Sequence, residues 1–584
     1  MSRLPAEARP AGADRGARAV RLILAGSLLA PLVLLTIARQ HQQDITTLQL
    51  LQQDVWLLLA GLGLAVALAL PARPQTALPV LSRGRVAALA LIVAAAGYAG
   101  HYAILDGYDL SRDEQMADFD AIIYAAGRLA WPLPRDWQAP ADLLNTQFML
   151  PVLRPAAWVS GYLPGNAMLR ALFGSLGDRA LTGALLNGLS VGLLWICARR
   201  IWPTARPRDR EAVSVAVLLL VLSGEFVLTG MSAYAMPAHL ACDLGWLALF
   251  LRDRRRADLA ALAVGFVAVG LHQPLFHPLF VAPFLVLLVW QRRRDRLWLY
   301  GPAYAAIAAF WFFWPHLTLA LVSGPQSAVH GTGAGYVARL FATLAENRDN
   351  LPIMAANLLR FLTWQHILLL PLLIAGCLAA PRRPLAMALA AGFFLPILVM
   401  AVIEPRQGHG FGYRYIYGVL GNATLLGGYG WRWLAPRVPR LPAIFIRASI
   451  GTLLVMLPMQ LVLTHRLYAT YARADARLSA SGADYVILGE EDAPLALDLV
   501  HNRPDLANRP LRLVAGEIGD RAALAQRLCR PARGGPVIVA LVGDGFYRDV
   551  MRFYGWPARG FADRRLAGDI ADFRAAGCRV RVLV

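Results

Sequence analysis

Residues 252–296 read RDRRRADLAALAVGFVAVGLHQPLFHPLFVAPFLVLLVWQRRRDR, and this stretch shows the pattern from which the topology is predicted. It holds two apolar runs, 257–273 and 275–291, with arginine clusters at the outer ends and only a short turn between the runs. About 20 apolar residues are enough to cross the hydrocarbon layer of a membrane as a helix. Since arginine-rich connections stay in the cytosol, the pair predicts one passage out and one back, with His272 to His277 at the outer turn.

The same alternation continues along the whole chain. Its apolar runs predict about thirteen transmembrane helices, near residues 22–38, 54–70, 86–105, 179–198, 212–230, 235–251, 257–273, 275–291, 300–322, 364–380, 384–403, 415–433 and 443–464. The arginine-rich connections are Arg199 to Arg210, Arg252 to Arg256, Arg292 to Arg296, Arg382 with Arg383, and Arg437 with Arg440. With the N-terminus inside, all of them fall in the cytosol. The pattern predicts an α-helical polytopic protein of the bacterial inner membrane with an extracytoplasmic, periplasmic working face.

Three regions follow from this topology. Residues 1–21 form a cytosolic N-terminal tail, which its polar composition predicts to be disordered. Residues 22–465 form the transmembrane part, and within it residues 106–178 are a long first extracytoplasmic loop. Residues 466–584 alternate short apolar runs with helical stretches, which predicts a small soluble α/β domain on the same outer side.

Two cysteines fall in this C-terminal region, Cys529 and Cys578. The predicted topology places both in an oxidising compartment, where disulfides form and persist. We therefore expect a disulfide between them, provided that the fold brings them close enough.

Composition narrows the classes of function. The chain has 584 residues, of which 57% are hydrophobic and 16% charged, against roughly 25% charged residues in soluble proteins. The formal net charge of +20 is spread over many short connections, whereas a nucleic-acid-binding protein gathers basic residues on one face. No nucleic-acid partner is expected, and contact with anionic membrane lipid is the simpler use of the charge.

The first outer loop opens with Asp106-Gly107-Tyr108-Asp109-Leu110-Ser111-Arg112-Asp113-Glu114. Ser111 and Glu114 have the spacing of a capping box, and Asp113 in the first turn suits the positive end of the helix. A local structural role is the simplest reading of these acids. The same position also suits a general base, since a carboxylate just outside a membrane helix can accept a proton from a substrate hydroxyl.

Other polar groups interrupt the apolar runs. The segment Glu404 to Tyr415 offers Arg406, His409, Arg414 and Tyr415 for a phosphate, a sugar or a prenyl chain, or for contact with lipid headgroups. The outer turn carries His272 and His277, which fit interfacial anchors better than a metal site. Tyr234, His239 and Asp243 form a further group, and Glu225 lies in the preceding run; acids inside a membrane span are functional candidates, although pairing among buried groups is the structural alternative.

Two stretches resemble a known family. Ser111-Arg112-Asp113-Glu114-Gln115-Met116-Ala117 resembles the acidic motif in the first extracytoplasmic loop of GT-C superfamily glycosyltransferases, among them bacterial relatives of the protein O-mannosyltransferases and the lipid A aminoarabinose transferase. Ser160 to Ala167, followed by Leu181 to Arg200, resembles the passage from that loop into the next core helix. In layout the resemblance covers residues 86–433.

The resemblance implies a function. Such enzymes transfer a sugar from a polyprenyl-phosphate carrier to an acceptor at the outer membrane face. The catalytic base of the family maps onto Asp113, with Glu114 as its neighbour. Arg414 becomes the favoured phosphate ligand, and His409, Arg406, Tyr415, His272, His277, Tyr234 and His239 are further candidates for binding substrate or carrier.

The acceptor stays open among a lipid, a polysaccharide and a protein. No cofactor is assigned, and a divalent cation is left open because family members differ in metal dependence. Two functions of other classes compete. The first is a proton-coupled secondary transporter or lipid flippase that uses Glu225, His239 and Asp243, against which the long first loop argues because transport sites lie at the bilayer midplane. The second is a membrane scaffold that works through its C-terminal domain.

Overall fold

The computed structural model describes residues 11–40, 48–70, 78–144, 148–150, 155–203, 206–323, 350–530, 535–557 and 559–584. Within these ranges the chain is mostly helical, and seven of its helices are long and apolar enough to cross a membrane. They are Arg18–Ala38, Leu50–Ala69, Arg83–Ala103, Leu181–Ile201, Arg294–Val322, Pro384–Ile403 and Leu441–Ser479. Shorter apolar helices pack among them, so this is a multi-pass membrane architecture.

The α-helices, apart from the single turn Arg135–Gln138, are numbered here in chain order. Those up to residue 323 are α1 Ala11–Ala38, α2 Val55–Ala69, α3 Arg83–Ala103, α4 Arg112–Ala125, α5 Gly165–Ser175, α6 Leu181–Ile201, α7 Pro207–Val221, α8 Gly224–Thr229, α9 Met236–Phe250, α10 Arg255–Val269, α11 Phe276–Trp290 and α12 Arg294–Ser323. Those from residue 350 onward are α13 Leu351–Thr363, α14 Leu369–Ala379, α15 Pro384–Ile403, α16 Leu420–Leu434, α17 Leu441–Gly451, α18 Leu457–Ser479, α19 Arg521–Leu528, α20 Arg548–Tyr554 and α21 Phe561–Ala575.

Several helix boundaries differ from the prediction. The run 212–230 is two helices, because the Ser223 hydroxyl accepts a hydrogen bond from the Phe226 backbone N–H and starts a second helix. The run 415–433 becomes α-helical only at Leu420, after a 3₁₀ segment from Arg414. At the N-terminus, α1 already begins at Ala11, inside the tail predicted to be disordered. Most of the connection between the predicted helices 300–322 and 364–380 lies outside the described residues.

Close helix packing holds the segment that follows Arg414. A Cβ atom added to Gly430 would overlap the carbonyl oxygen of Leu372, and one added to Gly376 would overlap that of Leu426. The backbones of α14 and α16 therefore touch, as small residues allow in membrane proteins. This contact fixes the position of α16 relative to α14, and with it the position of the segment that contains Arg414.

The first loop packs on the C-terminal region. Strand β1 (Trp131–Pro132) pairs antiparallel with β2 (Ala157–Trp158), and Trp158 and Ile123 share an apolar core with Ile487 and Leu513 from the C-terminal sheet. Arg170 on α5 is buried and forms an ion pair with Asp118 on α4. These contacts hold α4, and with it Asp113, between the membrane helices and the C-terminal region.

The C-terminal region contains a four-stranded parallel sheet in the order β4-β3-β5-β6. Its strands are β3 Tyr485–Leu488, β4 Leu511–Val514, β5 Ile538–Val542 and β6 Arg579–Leu583. Helices α19, α20 and α21 connect the strands. Cys529, which follows α19, and Cys578, which precedes β6, are joined by a disulfide with their Cα atoms 5.0 Å apart.

Candidate active site around Asp113

Asp113 lies in the first turn of α4, where a cap fixes the backbone. The Ser111 hydroxyl accepts a hydrogen bond of 3.2 Å from the Glu114 N–H, and the Glu114 carboxylate accepts one of 3.0 Å from the Ser111 N–H. The predicted capping box is thus confirmed. Its reciprocal bonds hold the helix start rigid, which gives the Asp113 side chain a fixed origin.

Two side chains donate hydrogen bonds to Asp113. One is the Tyr162 hydroxyl, which bonds to Oδ1, and the other is the Arg414 guanidinium, which bonds to Oδ2. The carboxylate is 14% exposed and the guanidinium 8%, so water reaches this ion pair poorly. Asp113 and Arg414 were both candidates from the sequence. They are 301 residues apart in the chain, and the fold brings them into contact in one site.

The segment from Glu404 to Tyr415 is folded around Arg414. The Gln407 side chain accepts a hydrogen bond of 2.9 Å from the Arg414 N–H and donates one of 3.0 Å to the Gly412 carbonyl. Gly412 has φ +61°, and a Cβ atom there would lie 2.6 Å from the Glu225 carboxyl group, so only glycine fits this turn. The guanidinium lies 5.2 Å from the ring centre of Tyr234 and 5.3 Å from that of Tyr415. These aromatic faces favour a cation between them.

A small cavity, called here the Asp113 pocket, adjoins the carboxylate. Its polar lining consists of Asp113, Asp120, Tyr162, Asn166, Tyr234 and His272, and its volume is about 20 Å³. A single water molecule occupies a space of this size. This space is too small for a sugar, so a sugar can contact Asp113 from this cavity only if the lining residues move apart.

The two acids of the pocket have opposite electrostatic surroundings. Burial raises the pKa of Asp113, but the Arg414 guanidinium, His272 and the Tyr162 hydrogen bond lower it, and the net pKa is below its ordinary value. Burial raises the pKa of Asp120 to about 7, although a hydrogen bond with Ser160 opposes the rise. Asp113 is consequently ionised at neutral pH, whereas Asp120 is about half protonated. Acids whose pKa values are pushed apart in one site are typical of acid–base chemistry.

Asp120 was not singled out from the sequence. It lies seven residues after Asp113 on α4, and two helical turns bring it to the same face. That spacing was the signal that could have found it. Tyr162 belongs to a stretch that carries the family resemblance, but nothing in that stretch indicated its bond to Asp113.

Glu114, predicted as the catalytic neighbour of Asp113, has a different environment. Its carboxylate is fully buried and accepts hydrogen bonds from the Ser111 N–H and, at 3.1 Å, from the Tyr468 hydroxyl. Burial raises its pKa to about 7, and the hydrogen bonds from Ser111 and Tyr468 oppose the rise. Glu114 does not line the Asp113 pocket; it ties α4 to α18 and supports the site from behind.

The other predicted ligands of the Glu404–Tyr415 segment diverge. His409 is buried, forms a 2.8 Å hydrogen bond with Gln49, and has Nε2 3.5 Å from the Asp498 carboxylate, so it faces the C-terminal region. Arg406 is exposed and donates a hydrogen bond of 3.3 Å to Asn350. The Tyr415 hydroxyl bonds to the Arg406 carbonyl. Of this segment, only Arg414 reaches Asp113.

The histidines of the outer turn separate as well. His272 lines the Asp113 pocket, and its ring centre lies 4.4 Å from that of Tyr162. His277 is fully buried, which corrects the expectation of a surface anchor; its Nδ1 is 2.6 Å from the Asp243 carboxylate and its Nε2 is 2.9 Å from the Tyr304 hydroxyl. The break before α11 points this side chain into the helix bundle, where Asp243 satisfies it.

His239 does not line the Asp113 pocket, although its ring centre lies 6.5 Å from that of His272, which does. It lines a separate cavity of about 10 Å³ together with Asp243, Arg414 and Tyr415. The structural alternative, pairing among the buried groups, holds for Asp243, which bonds to His277 and not to His239. Glu225 accepts a 2.5 Å hydrogen bond from Gln365. The two buried acids Glu225 and Asp243 thus have different hydrogen-bond partners.

The described part of the chain offers no preformed metal site. Within it, no group of three or more His, Cys, Asp or Glu side chains is arranged to hold a metal ion. Asp113 itself is engaged by an arginine and a tyrosine.

Comparisons with known proteins gave similarities only at the level of structure. No family model matches the chain, and no curated protein matches it. Among solved structures, ArnT from Cupriavidus metallidurans in the apo state is 13% identical with a TM-score of 0.44, covering 74% of this chain and 85% of that one. ArnT bound to undecaprenyl phosphate gives 14% identity and a TM-score of 0.42, covering 86% of this chain and 90% of that one.

A third similarity is with the Archaeoglobus fulgidus oligosaccharyltransferase in complex with Zn and sulfate, at 12% identity and a TM-score of 0.43, covering 85% of this chain and 67% of that one. ArnT and this oligosaccharyltransferase both belong to the GT-C superfamily, which the sequence motifs resemble. Since all three TM-scores are below 0.5, we argue the function from the site itself.

Proposed function

We propose that the protein is a glycosyltransferase that moves a sugar from a polyprenyl-phosphate carrier to an acceptor hydroxyl at the extracytoplasmic face, with Asp113 as general base. The single observation that carries this proposal is the contact between Asp113 and Arg414. The reaction needs a carboxylate for the acceptor proton and a cation for the phosphate that leaves. The site offers both in contact, at the start of α4 and immediately before α16.

The chemistry suits these two groups. As the acceptor oxygen attacks the anomeric carbon, the carbon–phosphate oxygen bond breaks and the phosphate carries away the electron pair. An ionised Asp113 accepts the proton of the acceptor hydroxyl. The low pKa of Asp113 makes it a weak base, but a phosphate is a good leaving group and the proton is needed only as the new bond forms. Arg414 offers guanidinium hydrogen bonds to the departing phosphate.

The small volume of the Asp113 pocket indicates which contacts substrate binding must change. Asp113 and Arg414 neutralise each other in this structure, and the remaining space holds about one water molecule. A carrier phosphate that reaches Arg414 would replace Asp113 as its anion and leave the carboxylate available for the acceptor. Substrate binding and activation of the base would then be the same event.

Further parts of the proposal concern binding and topology. Tyr234, His272 and Tyr415 surround Asp113 and Arg414, and we propose that they contact the sugar or the carrier. The remaining candidates do not line the Asp113 pocket: His409, Arg406, His277 and His239. The C-terminal region would share the extracytoplasmic side with α4, because the two pack together. A periplasmic reporter fused after Val584 should be active, and a silent fusion would contradict this orientation.

Asp113→Asn tests the proposal directly. The asparagine keeps hydrogen-bonding atoms in place but cannot take a proton, so we expect transfer to fall by roughly 10²–10⁴-fold. The measurement is mass spectrometry of envelope glycans in a deletion strain complemented with each variant, which also identifies the sugar. Asp136→Asn, an exposed acid of the same loop, is the matched control and should restore the glycans fully.

The transporter alternative makes the opposite prediction. The buried contacts of Asp243 with His277, and of His277 with Tyr304, are the observation that favours a proton path. Under that function Asp243→Asn abolishes activity and Asp113→Asn leaves it intact. Normal glycans from the Asp113→Asn strain, with the variant protein present in the membrane at wild-type level, would reject the proposed enzyme.

A further inference from the structure

A larger cavity lies among three of the arginine-rich connections. We call it the arginine pocket, and its charged lining is Arg206, Arg208, Arg383, Arg432, Arg437 and Asp209. Its volume is about 470 Å³. These residues come from the start of α7, the start of α15 and the end of α16 with the connection that follows it. The sequence places them in separate connections, and the fold gathers them.

The pocket is strongly positive. Among the described residues that line it, five arginines face one aspartate, a net charge of +4. Asp209 is engaged by Arg432, whose Nε is 2.9 Å from the carboxylate. Arg206, Arg208, Arg383 and Arg437 are exposed. Like charges this close repel one another, so an anion of multiple charge would be favoured there.

Two further features suit phosphate groups. Helix α7 is 15 residues long, and its N-terminal residues Arg206 to Asp209 line the pocket, so the positive end of the helix faces the cavity. Tyr429 and Trp433 form the aromatic part of the wall, with the Arg383 and Arg437 guanidinium groups 5.6 Å and 4.1 Å from their respective ring centres. Guanidinium groups braced on aromatic rings keep their planar forks oriented for phosphate oxygens.

The position of the pocket points to a lipid and not to a soluble phosphate. Arg414 and Arg432 lie at opposite ends of the segment formed by a 3₁₀ stretch and α16, which spans roughly 30 Å at the usual rise per residue. That length matches the hydrocarbon thickness of a bilayer. The pocket is therefore at headgroup depth on the face opposite to Asp113, and tyrosine with tryptophan is typical of that depth.

We propose that the arginine pocket binds the headgroup of an anionic phospholipid that carries two phosphate groups. The charge of +4 matches two phosphates better than one, and the volume accommodates both. The site is distinct from the Asp113 pocket, and its occupancy does not depend on the enzymatic activity. The lipid bridges three connections and thereby fixes α7, α15 and α16 relative to one another.

Thermal unfolding of the purified full chain in a neutral detergent tests this site. Cardiolipin, phosphatidylglycerol, phosphatidylcholine and sodium pyrophosphate are titrated separately at equal phosphate concentration. Cardiolipin should raise the unfolding temperature most, and phosphatidylcholine should have no effect. Equal stabilisation by phosphatidylglycerol would overturn the assignment of two phosphates, and equal stabilisation by pyrophosphate would overturn the assignment of a lipid.

Paired variants locate the effect. Removing the exposed guanidinium groups in Arg383→Gln with Arg437→Gln should weaken the apparent affinity for cardiolipin roughly 30-fold. Arg254→Gln with Arg256→Gln removes the same charge from another exposed arginine cluster and should leave the affinity within about twofold of wild type. Equal losses in the two double variants would show diffuse electrostatic attraction and would overturn the proposed pocket.

Discussion

Two arginines at opposite ends of the segment formed by the 3₁₀ stretch and α16 have contrasting surroundings. Arg414 is 8% exposed, has one acidic partner and lines a cavity of about 10 Å³. Arg432 is 22% exposed, also has an acidic partner, and lines an open cavity of about 470 Å³ with four further arginines. A buried guanidinium needs its own counter-charge because it has lost its hydration. Several guanidinium groups that remain partly hydrated can lie near one another at a lower cost. Burial therefore decides whether an arginine is held by a single carboxylate or lies in a cluster of like charges.

Arg414→Gln should break this contrast with the largest loss of stability. Removing the guanidinium leaves the Asp113 carboxylate buried without its counter-charge, which typically lowers the free energy of unfolding by about 3–5 kcal/mol. The measurement is thermal or denaturant unfolding of the purified chain in detergent. Adding Asp113→Asn to the same chain should recover most of the loss, because no unpaired charge then remains. A double variant no more stable than Arg414→Gln would refute the ion-pair explanation.

Asp120→Asn sharpens the electrostatic side of the comparison. With its pKa raised to about 7, Asp120 is protonated and neutral below pH 7. Above pH 7 it is ionised and adds a second negative charge to the Asp113 pocket. That charge opposes a phosphate-bearing donor, so the wild-type kcat/KM should fall severalfold from about pH 6 to about pH 8. The neutral amide of the variant mimics the protonated acid at every pH, so the fall should disappear. A profile that keeps the same slope would show that Asp120 does not titrate in the site.

Arg432→Gln should have the smallest effect. Its ion pair with Asp209 is partly hydrated, and such pairs contribute at most about 1 kcal/mol. Unfolding in lipid-free detergent should therefore differ little from wild type. A loss of stability as large as that of Arg414→Gln would show that Arg432 depends on its counter-charge as strongly as Arg414 does.

The sequence predicted the elements better than their relations. Capping chemistry at Ser111 and Glu114 is local, and the structure confirms it. The apolar runs also predicted a multi-pass helical membrane architecture. The split at Ser223 and the 3₁₀ segment from Arg414 were missed, because uninterrupted apolar composition hides breaks made by a single cap or a tight turn. Domain boundaries and catalytic roles stay predictions.

Within the site, particular residues show the same limit. Asp113 and Arg414 were both chosen from the sequence, yet nothing in it said that they touch. Glu114 was expected beside Asp113 in the catalytic motif, but its carboxylate accepts the capping-box hydrogen bond and one from Tyr468. His277 was expected at the surface and instead bonds to Asp243. Neighbours along a helix point in directions about 100° apart, so adjacent residues acquire unrelated partners.

The amino-acid sequence by itself determined that the chain builds apolar helices, where arginine flanks them, and where helix α4 begins, because hydropathy, charge and capping act over a few residues. The tertiary structure alone decided that Asp113 meets Arg414, that Asp120 joins them, and that three arginine-rich connections close around one pocket. Such contacts depend on how helices far apart in the chain pack side by side. Packing is set by the fit of many surfaces at once, which no local pattern records.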